Sequence, residues 1–127
     1  MARPFDFSTI ISLIRNNDFV SNIETVTVDE IARRGFYKIT CQLIPSRFKL
    51  DIKFIKTQSD FIYSYQLYTT KAVARWDNEP HYPATRTFPH HFHDSEENVR
   101  ESKLTGNAES DIKIVLSKIG SIIEQNG

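Results

Sequence analysis

The sequence predicts a single α+β domain, in which an antiparallel sheet of about five strands has one helix before it and one after it. Apolar stripes with helical spacing occur near both ends of the chain. Between them lie runs rich in β-branched and aromatic residues, joined by short links. The 127 residues suffice for one hydrophobic core, so we expect residues 1–127 to form one domain.

A helix is predicted at each end of the chain. The first covers residues 7–17 with Ser8 as its N-cap, and we expect its apolar side to cover a face of the sheet. The second covers residues from about 108 to 125, with Asn107 as its N-cap. Its apolar stripe consists of Ile112, Val115, Leu116, Ile119, Ile122 and Ile123.

Strands are predicted between the two helices. They cover residues 19–31, 36–44, 48–56 and 61–70, and a fifth short strand covers residues 72–76. The links between them are short, which favours an antiparallel meander. The polar, acidic stretch of residues 94–106 is interpreted as a surface excursion.

The third strand alternates almost perfectly between apolar and polar side chains. Its apolar residues point to one face, while Lys49, Asp51 and Lys53 point to the other. The fourth strand carries aromatic residues on both faces, and its pattern leaves the buried face open.

The charge of the chain is balanced overall but uneven along it. Sixteen basic residues offset sixteen acidic ones. Residues 33–56 carry seven basic residues against Asp51 alone, and residues 94–111 carry six acidic residues. This distribution suits either a phosphate-binding surface or two ordinary solvated faces.

Cysteine content and hydropathy indicate the cellular compartment in which the protein is expected to work. Cys41 is the only cysteine, which excludes an internal disulfide and favours a reducing compartment. The sequence shows no signal peptide and no apolar stretch long enough to span a bilayer. We therefore expect a cytoplasmic protein without a membrane partner.

Residues 75–93 form the most unusual segment of the chain. They contain all four histidines, three of the five prolines and the only tryptophan. The prolines predict a loop, and a loop rich in groups that titrate near neutral pH is a candidate functional site. Turn formation and core packing by these same residues is the alternative interpretation.

One candidate chemistry for this segment is metal binding. GxGxxG, P-loop, GxSxG and HExxH motifs do not occur, and a single cysteine excludes paired CxxC ligands. In extended backbone His91 and His93 point to the same side, while His90 points away. Together with His81 or Asp94, these histidines could bind a divalent metal ion, so His90, His91 and His93 are candidate ligands.

The other candidate chemistry is metal-free cleavage of RNA, which requires a general base, a general acid and a cation at the phosphate. His81 and His91 are the candidates for base and acid, and His93 is a further catalytic candidate. Arg75 could bind the phosphate, and Asp77 could fix Arg75 or orient a histidine. The residues expected to bind RNA, by base stacking or by charge, are Trp76, Tyr82, Phe92, Lys49 and Lys53.

The same segment resembles the hallmark of the TumE-type toxins, small bacterial and archaeal proteins encoded beside a helix-turn-helix antitoxin. The matching residues are Arg75, Asp77, Asn78, Pro80, His81, Pro89, His90, His91 and His93. The resemblance implies a toxin of a toxin–antitoxin system whose fold is similar to RelE and barnase-like ribonucleases. Its partners would be a cognate helix-turn-helix antitoxin and an RNA substrate, and it could form a homo-oligomer.

The expected function is therefore that of a metal-independent endoribonuclease toxin that uses histidines for general acid–base catalysis and needs no cofactor. Ribosome-dependent toxins of this kind are strongly basic, and the balanced charge of this chain departs from that pattern. The alternatives are a metal-dependent nuclease with a divalent ion at the histidine cluster, or a binding module without catalysis.

Overall fold

The seven strands of the sheet pair in the order in which they occur along the chain, and every neighbouring pair is antiparallel. The structure, a computed structural model, describes residues 6–126. Its elements are α1 (Phe7–Arg15), β1 (Val20–Ile31), β2 (Arg34–Leu43), β3 (Lys49–Lys56), β4 (Phe61–Tyr68), β5 (Ala72–Asp77), β6 (His91–His93), β7 (Val99–Glu101) and α2 (Ala108–Asn126). The predicted α+β class and the antiparallel meander are confirmed.

The predicted number of strands was too low, because the sheet has seven strands rather than about five. The two additional strands, β6 and β7, have three residues each and lie within the stretch that was predicted as loop and surface excursion. A three-residue strand is too short to show a period of two in the sequence. It is identified by its pairing with a neighbour, which the sequence does not display.

Both helices lie close to their predicted positions. The N-cap of α1 is Asp6, whose side chain accepts a hydrogen bond from the Ser8 backbone, so the prediction of Ser8 as the cap was wrong. The second cap was predicted correctly, since Asn107 Oδ1 accepts from Ser110 N at 3.1 Å. Asp111 is buried in the first turn of α2 and accepts hydrogen bonds from the backbone of Thr105 and Gly106.

The sheet has two chemically different faces. Both helices and one set of strand side chains form a single buried core, and we call that side of the sheet the helix-covered face. In β4, Tyr63, Tyr65 and Leu67 point into this core, which answers the question that the sequence left open. The opposite side, which we call the open face, carries Lys38, Lys53 and the other side chains that alternate with the core residues.

Within residues 6–126, neither helix is both long enough and apolar enough to cross a lipid bilayer.

Candidate active site

Strands β5 and β6 bring four predicted site residues together on the open face. Arg75 is paired with His93, and Asp77 is paired with His91. Side chains in a strand alternate between faces, so these four point to the same side, away from the two helices. The pairing of the two strands thus joins parts of the sequence that are separated by the intervening loop.

Asp77 is the centre of this cluster. Its Oδ2 accepts a hydrogen bond from Arg75 Nε at 2.9 Å, and its Oδ1 accepts one from the Glu79 backbone at 3.1 Å. His91 Nε2 lies 2.9 Å from Oδ1, and His93 Nε2 lies 3.7 Å from Oδ2. Although Asp77 is on the open face, it is only 3% exposed, and its partners surround it.

His91 is held on both sides of its ring. Its Nδ1 lies 3.0 Å from the carbonyl oxygen of Pro89, which can only accept a hydrogen bond, and its Nε2 faces the Asp77 carboxylate. The carbonyl oxygen and the carboxylate are both acceptors, so each ring nitrogen is directed at an acceptor. The residue is only 2% exposed. This geometry suits a role in holding Asp77 rather than in exchanging protons with a substrate.

His93 and Arg75 form the accessible part of the cluster. The His93 side chain is 24% exposed and the Arg75 side chain is 34% exposed. Burial, followed by the neighbouring His91, lowers the pKa of His93 below its usual 6.5, so the neutral ring prevails at neutral pH. Arg75 donates from Nε to Asp77, and among residues 6–126 its two terminal amino groups have no hydrogen-bond partner, which leaves them for an anion.

Tyr82, in the loop between β5 and β6, covers this cluster from the solvent side. Its ring centroid lies 4.8 Å from that of His91 and 5.6 Å from that of His93, and both contacts are edge-on. The ring centroid of His81 lies 6.5 Å from that of Tyr82, and His81 Nε2 lies 3.0 Å from a Glu79 carboxylate oxygen. His81 is largely exposed, and its contacts within residues 6–126 are with Glu79 and Tyr82, so it borders the cluster without joining it.

The loop is anchored at both of its ends. Asn78 accepts a hydrogen bond from the Tyr63 backbone at 2.9 Å and donates one to the Phe61 carbonyl at 2.8 Å, which extends the pairing of β4 with β5 through a side chain. Thr87 donates to the His90 carbonyl and accepts from the Ser102 backbone. We did not predict these anchors. An Asn directly after a strand was the available signal, and it equally suits an ordinary turn.

His90 does not lie with the other histidines. Its Nδ1 is 2.7 Å from the Tyr63 hydroxyl, and the two rings stack at a centroid distance of 5.8 Å. Burial lowers the pKa of His90 and raises the pKa of the Tyr63 hydroxyl. Since Tyr63 belongs to the core, His90 is directed towards the helix-covered side, away from His91 and His93.

Two of the aromatic residues predicted to stack on RNA point away from the open face. Trp76 is 5% exposed and packs against Phe92 with ring centroids 5.0 Å apart. Both line a groove of about 670 Å³ beside α2, together with Lys113 and Ile114. This groove is separate from the Asp77 cluster, and of the three predicted stacking residues only Tyr82 lies beside the cluster.

The two predicted lysines share the open face with the cluster. Lys53 pairs with Ser64, Ser64 with Asp77, and Asp77 with His91, so these residues form one row across the sheet. Adjacent strands are about 4.8 Å apart, which places Lys53 about 10 Å from Asp77 along this row. Lys49 lies 3.3 Å from Glu24 in an ion pair, and this contact competes with any phosphate.

Three of the clustered side chains have the arrangement of a possible metal site. One ligand atom each of Asp77, His91 and His93 lies within 4.8 Å of the other two. The set therefore contains two of the three histidines predicted as candidate ligands, and Asp77 stands where His90 was expected. Asp94, the carboxylate that was predicted as a ligand, instead accepts a hydrogen bond from Arg100 Nε at 2.8 Å.

Comparison with known proteins gives one match. The family model described as Toxin TumE matches residues 10–125, which include every residue of the Asp77 cluster and its loop. No match was found among curated proteins or among solved structures. The expected similarity to RelE and barnase-like ribonucleases therefore stays a prediction.

Proposed function

The chain belongs to the TumE toxin family and is the toxin of a toxin–antitoxin system, and from that premise we propose that it cleaves RNA on the open face of its sheet without a metal ion. The observation that supports this function is the convergence of Arg75, Asp77, His91 and His93 on paired strands. A cation, an accessible neutral histidine and a buried carboxylate that fixes the cation and faces the histidine are suited to phosphodiester cleavage.

The two proton-transfer roles go to the accessible histidines. His93 accepts the proton of the RNA 2′-hydroxyl, since its side chain is partly exposed and its lowered pKa favours the neutral ring. The freed 2′-oxygen attacks the adjacent phosphorus, forms a 2′,3′-cyclic phosphate and displaces the 5′-oxygen. His81, exposed across the ring of Tyr82, donates a proton to that leaving oxygen. The sequence-based assignment to His81 and His91 is changed here because His91 is buried and engaged at both nitrogens.

The remaining residues bind and position. The terminal amino groups of Arg75 bind the phosphate oxygens and stabilise the charge that develops on them. Asp77 fixes the Arg75 guanidinium and faces His93, and His91 holds Asp77. Tyr82 offers a ring edge and face for an unpaired base, and Lys53 attracts the RNA backbone along the open face.

The partner implied by the family is a cognate antitoxin. We propose that this antitoxin is a helix-turn-helix protein encoded next to the toxin, because the TumE-type arrangement pairs the two. Co-purification of the toxin with the product of the adjacent reading frame tests this, and a neighbour without a DNA-binding helical motif would contradict it.

The test of the catalytic proposal combines growth and RNA cleavage. Induction of the wild type should arrest growth, and the purified chain should cleave single-stranded RNA in the presence of a chelator. Arg75→Ala should lower the cleavage rate by about 10²- to 10³-fold, the usual loss when one stabilising donor is removed. His93→Gln should lower it by about 10²- to 10⁴-fold.

Matched controls separate this effect from loss of structure. Arg15→Ala removes an exposed arginine at the end of α1, outside the open face, and should leave growth arrest and cleavage unchanged. The urea midpoint of each variant, followed by Trp76 fluorescence, shows whether it is folded. Undiminished cleavage by folded Arg75→Ala and His93→Gln variants would refute the proposal, and a wild type that binds RNA without cutting it would indicate a binding module.

A further inference from the structure

We propose that Asp77, His91 and His93 also form a binding site for one divalent transition-metal ion of the zinc type, and that the bound ion inhibits the toxin. The binding part stands on the geometry of the three residues alone. The inhibitory part rests on the proposed function, because it requires that the same residues carry out RNA cleavage without a metal.

The spacing of the three side chains suits a small ion. Zinc lies about 2.0–2.2 Å from nitrogen and oxygen ligands, so two ligand atoms at a tetrahedral angle are about 3.4 Å apart. His91 Nε2 is 2.9 Å from Asp77 Oδ1, and His93 Nε2 is 3.7 Å from Asp77 Oδ2. These two distances lie on either side of the required value. Because all three ligand atoms lie within 4.8 Å of one another, closure by at most about 1.4 Å encloses the ion.

The surroundings of the ligands are those that metal-binding side chains usually have. A ligating histidine commonly donates its other ring N–H to a backbone carbonyl, and His91 Nδ1 already does so to Pro89. Asp77 is oriented by Arg75 Nε and by the Glu79 backbone N–H. These contacts hold His91 Nε2 and the carboxylate in their places before any ion arrives.

The chemistry of the ligands selects the class of ion. Two imidazoles and one carboxylate suit zinc, cobalt and similar metals, whereas magnesium and calcium prefer oxygen ligands. The rings of His91 and His93 meet edge to face, with centroids 4.8 Å apart, and the ring of Tyr82 contacts both. Three protein ligands leave one position for water, and the partial exposure of His93 provides a path for entry.

Inhibition follows from competition for the same atoms. A metal ion at this position takes the Nε2 lone pair of His93, which the cleavage reaction needs to accept the 2′-hydroxyl proton. It also adds positive charge beside Arg75 and takes an oxygen of Asp77, which weakens the contact that fixes the guanidinium.

The test uses the full-length chain without a polyhistidine tag, because a tag would bind the same metals. Titration calorimetry with zinc chloride should show one ion per chain, and cobalt(II) chloride should produce the visible absorption of a tetrahedral cobalt complex. His93→Gln should weaken zinc binding by about tenfold or more. His81→Gln, which changes an exposed histidine of the same loop outside the three-residue set, should bind zinc like the wild type.

RNA cleavage measured with and without zinc completes the test. One zinc ion per chain, weakened in His93→Gln and accompanied by loss of cleavage, supports the proposal. No zinc binding by the wild type, or equal binding by folded His93→Gln, overturns the site while leaving the metal-free cleavage intact. Zinc binding with faster cleavage overturns the inhibitory role, and zinc binding by a chain that never cleaves RNA supports the site and refutes the proposed function.

Discussion

Replacement of Asp77 by asparagine is the sharpest test of the hydrogen-bonded cluster on the open face. The two side chains have nearly the same size, so the substitution leaves no cavity and changes only charge and hydrogen bonding. Three donors face the Asp77 carboxylate: Glu79 N and His91 Nε2 at Oδ1, and Arg75 Nε at Oδ2. A carboxylate accepts all three, whereas an amide has one oxygen and one NH₂ group.

Either orientation of the amide places a donor against a donor. With the oxygen at the Oδ1 position, the NH₂ group faces Arg75. With the oxygen at the Oδ2 position, the NH₂ group faces Glu79 N and the ring of His91. A hydrogen bond to a charged group contributes about 1.5–3 kcal/mol, and a buried donor without a partner costs about 1–3 kcal/mol. Because Asp77 is only 3% exposed, we expect the free energy of unfolding to fall by about 3 kcal/mol.

Urea unfolding at neutral pH measures this loss. Trp76 is the only tryptophan and is buried, so its fluorescence reports the loss of the core. Asp29→Asn on the exposed strand β1 is the matched control, and its free energy of unfolding should change by less than about 0.5 kcal/mol. A loss below about 1 kcal/mol for Asp77→Asn would refute the view that Asp77 holds the cluster together.

Two further predictions concern other parts of the fold. Tyr65→Phe should raise the free energy of unfolding by about 1 kcal/mol, because the buried Tyr65 hydroxyl makes no hydrogen bond to any residue within 6–126. Tyr63→Phe should lower the free energy of unfolding by about 1 kcal/mol, because it removes the hydrogen bond to His90. The opposite order of urea midpoints would contradict both. The hydrogen bond from Arg100, followed by those from backbone N–H groups, lowers the pKa of Asp94 from 3.8 to about 2. The stabilisation that the ionised Asp94 gives to the fold is therefore present above pH 3.8 and is lost as the pH falls through about 2. A carbon-13 NMR titration of the Asp94 carboxyl should show a midpoint near 2 in the wild type and a midpoint raised towards 3.8 in Arg100→Gln. Equal midpoints in the two proteins would contradict the view that Arg100 lowers the pKa of Asp94.

The sequence predicted those features that depend on regular alternation. The apolar and polar residues of β3 alternate, and this was sufficient to place Lys53 opposite the core. The same rule explains the position of Trp76. Arg75 and Asp77 point to the open face, so the residue between them in a strand must point to the core. Base stacking by Trp76 was therefore inconsistent with an extended backbone at this position.

The features that the sequence did not reveal depend on contacts between distant segments. The burial of Asp77 results from the return of the chain at β6, which brings His91 against the carboxylate and places the ring of His91 beside that of Tyr82. Strand β7 was hidden by its polar composition, since Arg100 and Glu101 resemble a surface loop. Likewise, only the fold shows that His91 has its two nitrogens engaged while His93 is accessible.

One pair of substrates shows whether the open face cleaves RNA through the 2′-hydroxyl and without a metal ion. A single-stranded RNA and the same sequence with 2′-deoxy sugars are incubated in chelator with the untagged chain, and the ends of the products are determined. We expect the RNA to be cut to 2′,3′-cyclic phosphate and 5′-hydroxyl ends, while the deoxy strand stays intact. Cleavage of the deoxy strand, or cleavage of RNA only after a divalent ion is restored, would contradict it.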